Sequence, residues 1–291
     1  MNDDQPWLVI PRPRPEATRR LVCLPHAGGS AGFYRPWANH LSAAVELQLV
    51  QYPGREERIE DPFVQDAATL VAQLTQALLE TDRPGVETVV FGHSMGALLA
   101  YETVQSLHAQ GLPVARLVLS GYPPPQAPAG SGDGPAGRAP ALPRGDDELL
   151  ATVAGHGGTQ MSIFDDPDIR EMVLPILRND YLLIDSYRPT ALRPVDCGVV
   201  VLTGDSDVTV SVERARGWEA LAGKEFAFHV LPGGHFYLTA QRARVISLLH
   251  DYLLDGGGWG AAGGGAASAR PPRILAAWRA GGGQGRPPAA R

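Results

Sequence analysis

Six short runs rich in β-branched and apolar residues punctuate the chain, at 20–24, 47–52, 88–91, 117–120, 198–203 and 226–231. Several are continuously apolar rather than alternating, the pattern of parallel strands covered on both faces. Between them the apolar period lengthens to that of helices. Asp61-Pro62 reads as an N-cap and first turn, and Phe63, Ala67, Leu70, Val71, Leu74 and Leu78 follow on one helical face. The stretch after Ser94 reads as a helix closing at Gly111-Leu112-Pro113. Val245, Leu248, Leu249 and Tyr252 give a final helix its apolar face. Strands alternating with helices predict an α/β domain with a mainly parallel central sheet flanked by helices. Residues 146–187 are helical in pattern yet sit between two strands, which predicts an inserted cap.

Composition changes this picture at two places. The chain has 34 Gly and 26 Pro among 291 residues, and thirteen of the 25 residues in 121–145 are one or the other. Neither a helix nor a central strand is expected to persist there. Residues 255–291 hold eleven Gly, ten Ala and four Pro, and are expected to form a disordered, solvated tail outside a domain spanning 1–254. Five of the 25 basic residues and one of the 31 acidic ones fall in that tail, so residues 1–254 carry a formal charge of −10. Such a body argues against non-specific nucleic-acid binding. No apolar run approaches the roughly 18 residues of a membrane span. The first residues lack the basic and apolar regions of a signal peptide. Cys23 and Cys197 lie in apolar stretches as small hydrophobes rather than a disulfide framework, so a cytoplasmic setting is expected. Nothing in the sequence demands an oligomer, and a monomer is expected.

The strongest local signal is Gly92-His93-Ser94-Met95-Gly96, between the run Thr88-Val89-Val90-Phe91 and the helical stretch after it. This is G-x-S-x-G between a strand and a helix, in which the glycines allow a sharp turn that lifts the Ser94 hydroxyl above the sheet edge. A serine nucleophile needs a base. Of eight histidines, His229 lies within a strand, His108 and His250 in helices, His156 in the cap and His40 near a helix end, while His93 adjoins Ser94 with its side chain expected to point elsewhere. His235 follows a strand in Pro232-Gly233-Gly234-His235-Phe236 and is the best candidate. The imidazole needs a carboxylate, and Gly204-Asp205-Ser206-Asp207 offers two after another strand. Serine, then acid, then histidine at strand ends is the chain order of the α/β-hydrolase fold. Two N–H donors for a developing oxyanion are expected from Met95 and from the glycine-rich loop Leu24-Pro25-His26-Ala27-Gly28-Gly29. This chemistry needs neither a cofactor nor a metal. It equally suits an oxygen esterase or an acyltransferase, whereas a non-catalytic binding module predicts a damaged set of residues.

Taken together, Pro25-His26-Ala27-Gly28-Gly29, Tyr52-Pro53-Gly54-Arg55, Gly92-His93-Ser94-Met95-Gly96 and Gly233-Gly234-His235-Phe236 resemble the type II thioesterases that accompany polyketide synthases and non-ribosomal peptide synthetases. The resemblance covers about residues 7–254. It implies an α/β-hydrolase that removes stalled or aberrant acyl groups from the phosphopantetheine arm of acyl or peptidyl carrier protein domains. It also implies Ser94 as nucleophile, Asp207 as acid partner, His235 as base, the N–H groups of Ala27 and Met95 as oxyanion hole, and a small helical lid at about 121–190. The chain departs from the family pattern at the lid entrance, where the Gly/Pro-rich run is longer and less basic. Arg55 has two readings, one in which it helps shape the mouth of the site and a favoured one in which it pairs with a nearby acid such as Glu56 or Glu57 or fixes a Pro-Gly turn. Tyr101, Phe33 and Tyr34 are expected in the core.

Overall fold

The computed structural model describes residues 7–125, 145–189 and 192–254. Seven strands form one sheet: β1 (Leu8–Val9), β2 (Arg19–Leu24), β3 (Val45–Val50), β4 (Glu87–His93), β5 (Arg116–Ser120), β6 (Gly198–Gly204) and β7 (Phe226–Leu231). Their spatial order is β1-β3-β2-β4-β5-β6-β7, with β1 antiparallel to β3 and the other pairings parallel. The six expected runs correspond to β2–β7. The two residues of β1 are too short to show a period in sequence, and β3 ends two positions before its expected limit, with Gln51 N still donating to Trp7 O at 2.9 Å.

Side-chain alternation along the strands divides the interior into two layers. Val22 and Leu24, Val90, Leu117 and Leu119, and Val199 and Val201 share one core with Leu70, Leu74, Val104 and Leu107 of two helices, α1 (Ala67–Glu80) and α2 (Met95–Ala109). Leu21 and Cys23, Val89 and Phe91, Val118, and Val200 and Leu202 face the opposite way. There they meet Trp37 and, from the last helix, Val245 and Leu249. Both faces are covered, which is why the strands read as unbroken apolar runs.

The first helix begins five residues later than Asp61-Pro62 suggested. Asp66 is its N-cap, with Oδ1 accepting from Thr69 N at 2.7 Å, whereas Asp61 is taken by Arg58 Nε at 2.6 Å. Among the described residues, no backbone N–H of a following turn is given to Asp61, whose carboxylate faces Arg58 instead. Residues 146–187 also divide, into α3 (Asp146–His156) and α4 (Pro167–Ser186), because Gly157 and Gly158 adopt positive φ and Asp166-Pro167 starts a new helix. Leu149 of α3, Phe164 and the α4 residues Leu174, Leu177 and Tyr181 make a small core of their own. Most of the Gly/Pro-rich run (126–144) and the tail (255–291) lie outside the described residues. Helices α5 (Val212–Arg216), α6 (Tyr237–Ala240) and α7 (Arg242–Leu254) complete the chain. No described helix is long and apolar enough to cross a membrane.

The chain leaves β2 for β3 on one side, then crosses back to β4 on the other. The loops after β2 and β4 therefore diverge from neighbouring strands, leaving a crevice at the carboxyl edge of the sheet. Contact between β2 and the start of α2 is so close there that a Cβ on Gly96 would lie 2.1 Å from Leu24 O and 2.7 Å from Pro25 O. Backbone atoms cannot yield as a flexible side chain would. Gly96→Ala is expected to lower the urea-unfolding free energy by at least about 2 kcal/mol; a change within about 0.5 kcal/mol would show that α2 is free to shift.

Candidate active site

Ser94 joins β4 to α2 with φ 55° and ψ −122°, one of two non-glycine residues at positive φ among those described. A conformation that disfavours a side chain persists only where its surroundings impose it. Here Ser94 N donates to Ser120 O at 2.8 Å and Ser94 O accepts from Ala97 N at 2.8 Å. Gly92 and Gly96 meet across the turn, where a Cβ on Gly92 would stand 2.0 Å from Gly96 O. The turn thus holds the serine hydroxyl at the mouth of the crevice and the first N–H groups of α2 beside it.

Asp207 and His235 come from the loops after β6 and β7, adjacent parallel strands that end side by side. His235 Nε2 lies 3.0 Å from Ser94 Oγ, and His235 Nδ1 lies 2.8 Å from Asp207 Oδ2. The other carboxylate oxygen accepts from Thr209 N at 2.8 Å, Thr209 Oγ1 at 2.7 Å and Val210 N at 3.2 Å. An ionised carboxylate only accepts, so Nδ1 carries the ring proton and Nε2 presents its lone pair to Ser94. Thr209 Oγ1 spends its own proton on Asp207 and accepts from His235 Nδ1, 3.0 Å away. Burial opposes the charge of Asp207, but the hydrogen bonds and charge of His235 and the bonds from Thr209 outweigh it and lower its pKa.

The two carboxylates of this loop are thereby separated. Asp205 is exposed and accepts from Gly233 N at 2.9 Å and Ser206 Oγ at 2.7 Å, tethering the loop that carries His235. The side chain of Asp207 is fully enclosed.

Three further imidazoles surround His235, and the sequence reading gave none of them a part. His93 does not point away: its ring centroid is 5.0 Å from that of His235, and it is buried with Nδ1 2.9 Å from Ser120 Oγ. Ser120 Oγ in turn lies 2.6 Å from Tyr237 OH. His156, at the end of α3, brings its ring to 4.8 Å from His235 and its Nδ1 to 3.1 Å from Tyr181 OH. His26 packs edge-on against Phe33 and Phe236, each at 4.8 Å. Its motif neighbours were visible in sequence, whereas nothing local marks His156. Phe33 lines this cluster rather than the deep core, while Tyr34 and Tyr101 are buried in it as expected. Burial, followed by the nearby His235, pushes His26 down to about 3 and holds His93 well below its ordinary value.

Two N–H groups border the site. Met95 opens α2, where the first amides have no acceptor within the helix and the helix dipole favours negative charge. Ala27 lies in the loop after β2. Among the described residues, no protein acceptor takes either N–H. Arg55 does not pair with Glu56 or Glu57. Its guanidinium reaches Asp180 of α4, with Nη1–Oδ2 and Nη2–Oδ1 both 2.8 Å. Glu56 accepts instead from Ser30 Oγ at 2.6 Å, and Glu57 pairs with Arg35. Proximity in sequence loses here to a fully desolvated, two-pronged pair. No cluster of metal-ligating side chains occurs among the described residues.

The buried imidazoles make stability depend on acidity. Unfolded, His26 and His93 bind protons near 6.5; folded, His26 does so only near 3 and His93 well below 6.5. The unfolded chain thus holds more protons at mildly acid pH, and stability falls as pH drops through about 6.5. Asp207, with a lowered folded pKa, adds a loss of the same sign near the ordinary carboxylate range. Urea-unfolding free energies are expected to decline from pH 7 to pH 4. His26→Phe should flatten that slope by up to about 1.4 kcal/mol per pH unit; an unchanged slope would remove His26 from the explanation.

Comparison with known proteins agrees with this architecture. The thioesterase domain family model matches residues 19–253. The probable cadicidin biosynthesis thioesterase of Streptomyces griseus is 39% identical over 250 residues, covering 84% of this chain, which spans 66% of that protein's length. Thioesterase PikA5 of Streptomyces venezuelae is 32% identical, with 85% of each chain covered. Among solved structures, the type II thioesterase BorB from the borrelidin biosynthetic cluster matches with a TM-score of 0.72 at 32% identity, covering 84% of this chain and 97% of that one. With the family model and these relatives each covering most of its length, the chain belongs to the thioesterase domain family of α/β-hydrolases, in its type II branch.

Proposed function

We propose that this thioesterase hydrolyses acyl thioesters carried on the phosphopantetheine arm of carrier proteins, clearing stalled or aberrant acyl groups from polyketide or non-ribosomal peptide synthases. Ser94 is the nucleophile, His235 the base, Asp207 its acid partner, and the N–H groups of Ala27 and Met95 the oxyanion hole. The insertion holding α3 and α4 is the lid. The observation that carries the reading is the unbroken hydrogen-bond chain from Ser94 Oγ through His235 to Asp207 on a strained strand–helix turn. The Streptomyces griseus relative is named for cadicidin biosynthesis and BorB for the borrelidin biosynthetic cluster, which supports the substrate class.

The chemistry follows from the proton positions. As Ser94 Oγ attacks the thioester carbonyl, its proton passes to His235 Nε2, and Asp207 stabilises the resulting imidazolium. The carbonyl oxygen becomes negative between the two backbone N–H groups. Collapse breaks the C–S bond, and the proton on Nε2 goes to the departing sulfur. Water then occupies the place of the thiol, gives a proton to Nε2 and attacks the acyl-serine. The second collapse returns that proton to Ser94 Oγ and frees the carboxylic acid.

Acetyl- or propionyl-loaded carrier protein, followed by mass, is expected to lose its acyl group with the wild type and to keep it with Ser94→Ala. Faster turnover of short oxygen esters than of acyl-pantetheine would instead indicate an esterase. Asp207→Asn keeps the side-chain shape but favours the wrong tautomer of His235, and should lower kcat by about a thousandfold or more. Asp205→Asn should stay within about threefold. Equal losses for the two would remove the distinction between them.

A further inference from the structure

The loop after β2 is held almost entirely by groups outside itself. Tyr52 OH donates to Pro25 O at 3.2 Å, and Ala31 N donates to Gln51 Oε1 at 3.1 Å. Between those anchors, Gly28 N donates to Asp180 Oδ2 at 2.8 Å, while Arg55 Nη1 donates to Gly29 O at 3.0 Å. The same carboxylate oxygen and the same guanidinium nitrogen are joined to each other at 2.8 Å. Within the loop, Gly29 N closes a turn onto His26 O at 2.9 Å. The Gly28 N–H, the Gly29 N–H and the Gly29 carbonyl are thus all engaged, while no acceptor among the described residues takes the Ala27 N–H.

Both members of the pair are enclosed, with 4% of the Arg55 side chain and 1% of the Asp180 side chain exposed. Burial alone opposes the Arg55 charge, but the charge and hydrogen bonds of Asp180 outweigh it and raise its pKa. One turn before Asp180 on α4, Leu177 presses on the same peptide: a Cβ on Gly28, whose φ is +75°, would fall 2.6 Å from Leu177 Cδ2. Positions three apart share a helix face, so α4 sets one apolar side chain and one carboxylate acceptor against Gly28.

We infer that Arg55 and Asp180 are positioning residues for the oxyanion hole: together they hold the Gly28 N–H and the Gly29 carbonyl, and so the turn that starts at Ala27, so that the Ala27 N–H remains available to the developing negative oxygen. The carboxylate belongs to the lid and the guanidinium to the hydrolase body, so the donor is complete only with α4 seated. Asp180→Asn tests the pair with little change of shape, since its amide nitrogen must face either the Gly28 N–H or the guanidinium, both donors. Arg55→Lys keeps the charge but loses the two-pronged geometry and the bond to Gly29 O.

The inference rests on the proposed roles of Ser94 and Ala27, and the measurement separates its failure from theirs. Turnover of acyl-pantetheine is normalised to active sites titrated to completion with a fluorophosphonate, and an alkylboronate serves as a mimic of the tetrahedral intermediate. Asp180→Asn is expected to lower kcat per titrated site by about ten- to a hundredfold, less than outright loss of an oxyanion donor. KM should move less than about threefold, and boronate affinity should fall in parallel with kcat/KM. Arg55→Lys should show the same signature in weaker form. Arg178→Ala, which breaks an ion pair with Asp146 inside the insertion, should leave all three quantities within about twofold. Loss of titratable sites with unchanged kcat per site in both variants would reduce the pair to a folding element and overturn the inference. A rise in KM alone would overturn it too, as would unchanged boronate affinity. A wild type that hydrolyses thioesters without being labelled at Ser94 would instead remove the reading beneath it.

Discussion

A serine at φ 55° and ψ −122° cannot be stabilised by its own backbone, and much of the surrounding structure exists to hold it there. The turn needs Gly92 and Gly96 because α2 crosses back within contact of β2 and of the turn itself. It needs the carboxyl ends of β4 and β5 in register, so that Ser120 O can take the Ser94 N–H. That register in turn follows from strands whose side chains are buried on both faces, where a slip of one residue would exchange one core for the other. The two-layer packing of Val90 against α1 and α2, and of Phe91 against Trp37, therefore also sets where a hydroxyl emerges.

Electrostatics around His235 is decided by scarcity of charge. Four imidazoles meet within a small volume, and His235 is the one bonded to the enclosed carboxylate of Asp207. Desolvation keeps His26 and His93 neutral, so they fill space and exclude water without competing for the proton that the proposed role of His235 requires it to accept. Asp207 retains its charge because four donor contacts compensate its burial. Thr209 contributes three of the contacts around that carboxylate and imidazole, one from its N–H and two through its hydroxyl.

The parallel sheet was legible because both faces of each central strand are apolar, which turns the strands into uninterrupted runs bounded by Gly, Pro or Asp. Ser94, Asp207 and His235 were legible as candidates for a related reason: each directly follows such a run, and parallel strands deliver their carboxyl ends to one edge. The start of α1 was misplaced because Asp61 carries the same local cap signal as Asp66, and only the contact with Arg58 tells them apart. The partners of Arg55 and His156 are hidden from such a reading for a different reason. They lie 125 and 79 residues away in sequence, on the insertion or across it, so no window of neighbouring residues contains the information. The same holds for Asp180, whose helix face reads locally as an ordinary amphipathic pattern.

The shared bond of Gly28, Arg55 and Asp180 also constrains how this enzyme can be rebuilt. A helical insertion transplanted from a relative brings its own side chains to the site, but it also removes the counter-charge of a guanidinium that is buried in the hydrolase body. A graft must therefore supply a carboxylate at the position of Asp180 and a small contact surface like that of Leu177. Without them it leaves a buried cation beside an untethered loop, a defect whose cost of several kcal/mol is comparable with the whole stability of a domain. Swapping pockets between members of such a fold is, at this one junction, a problem of charge conservation before it is one of shape.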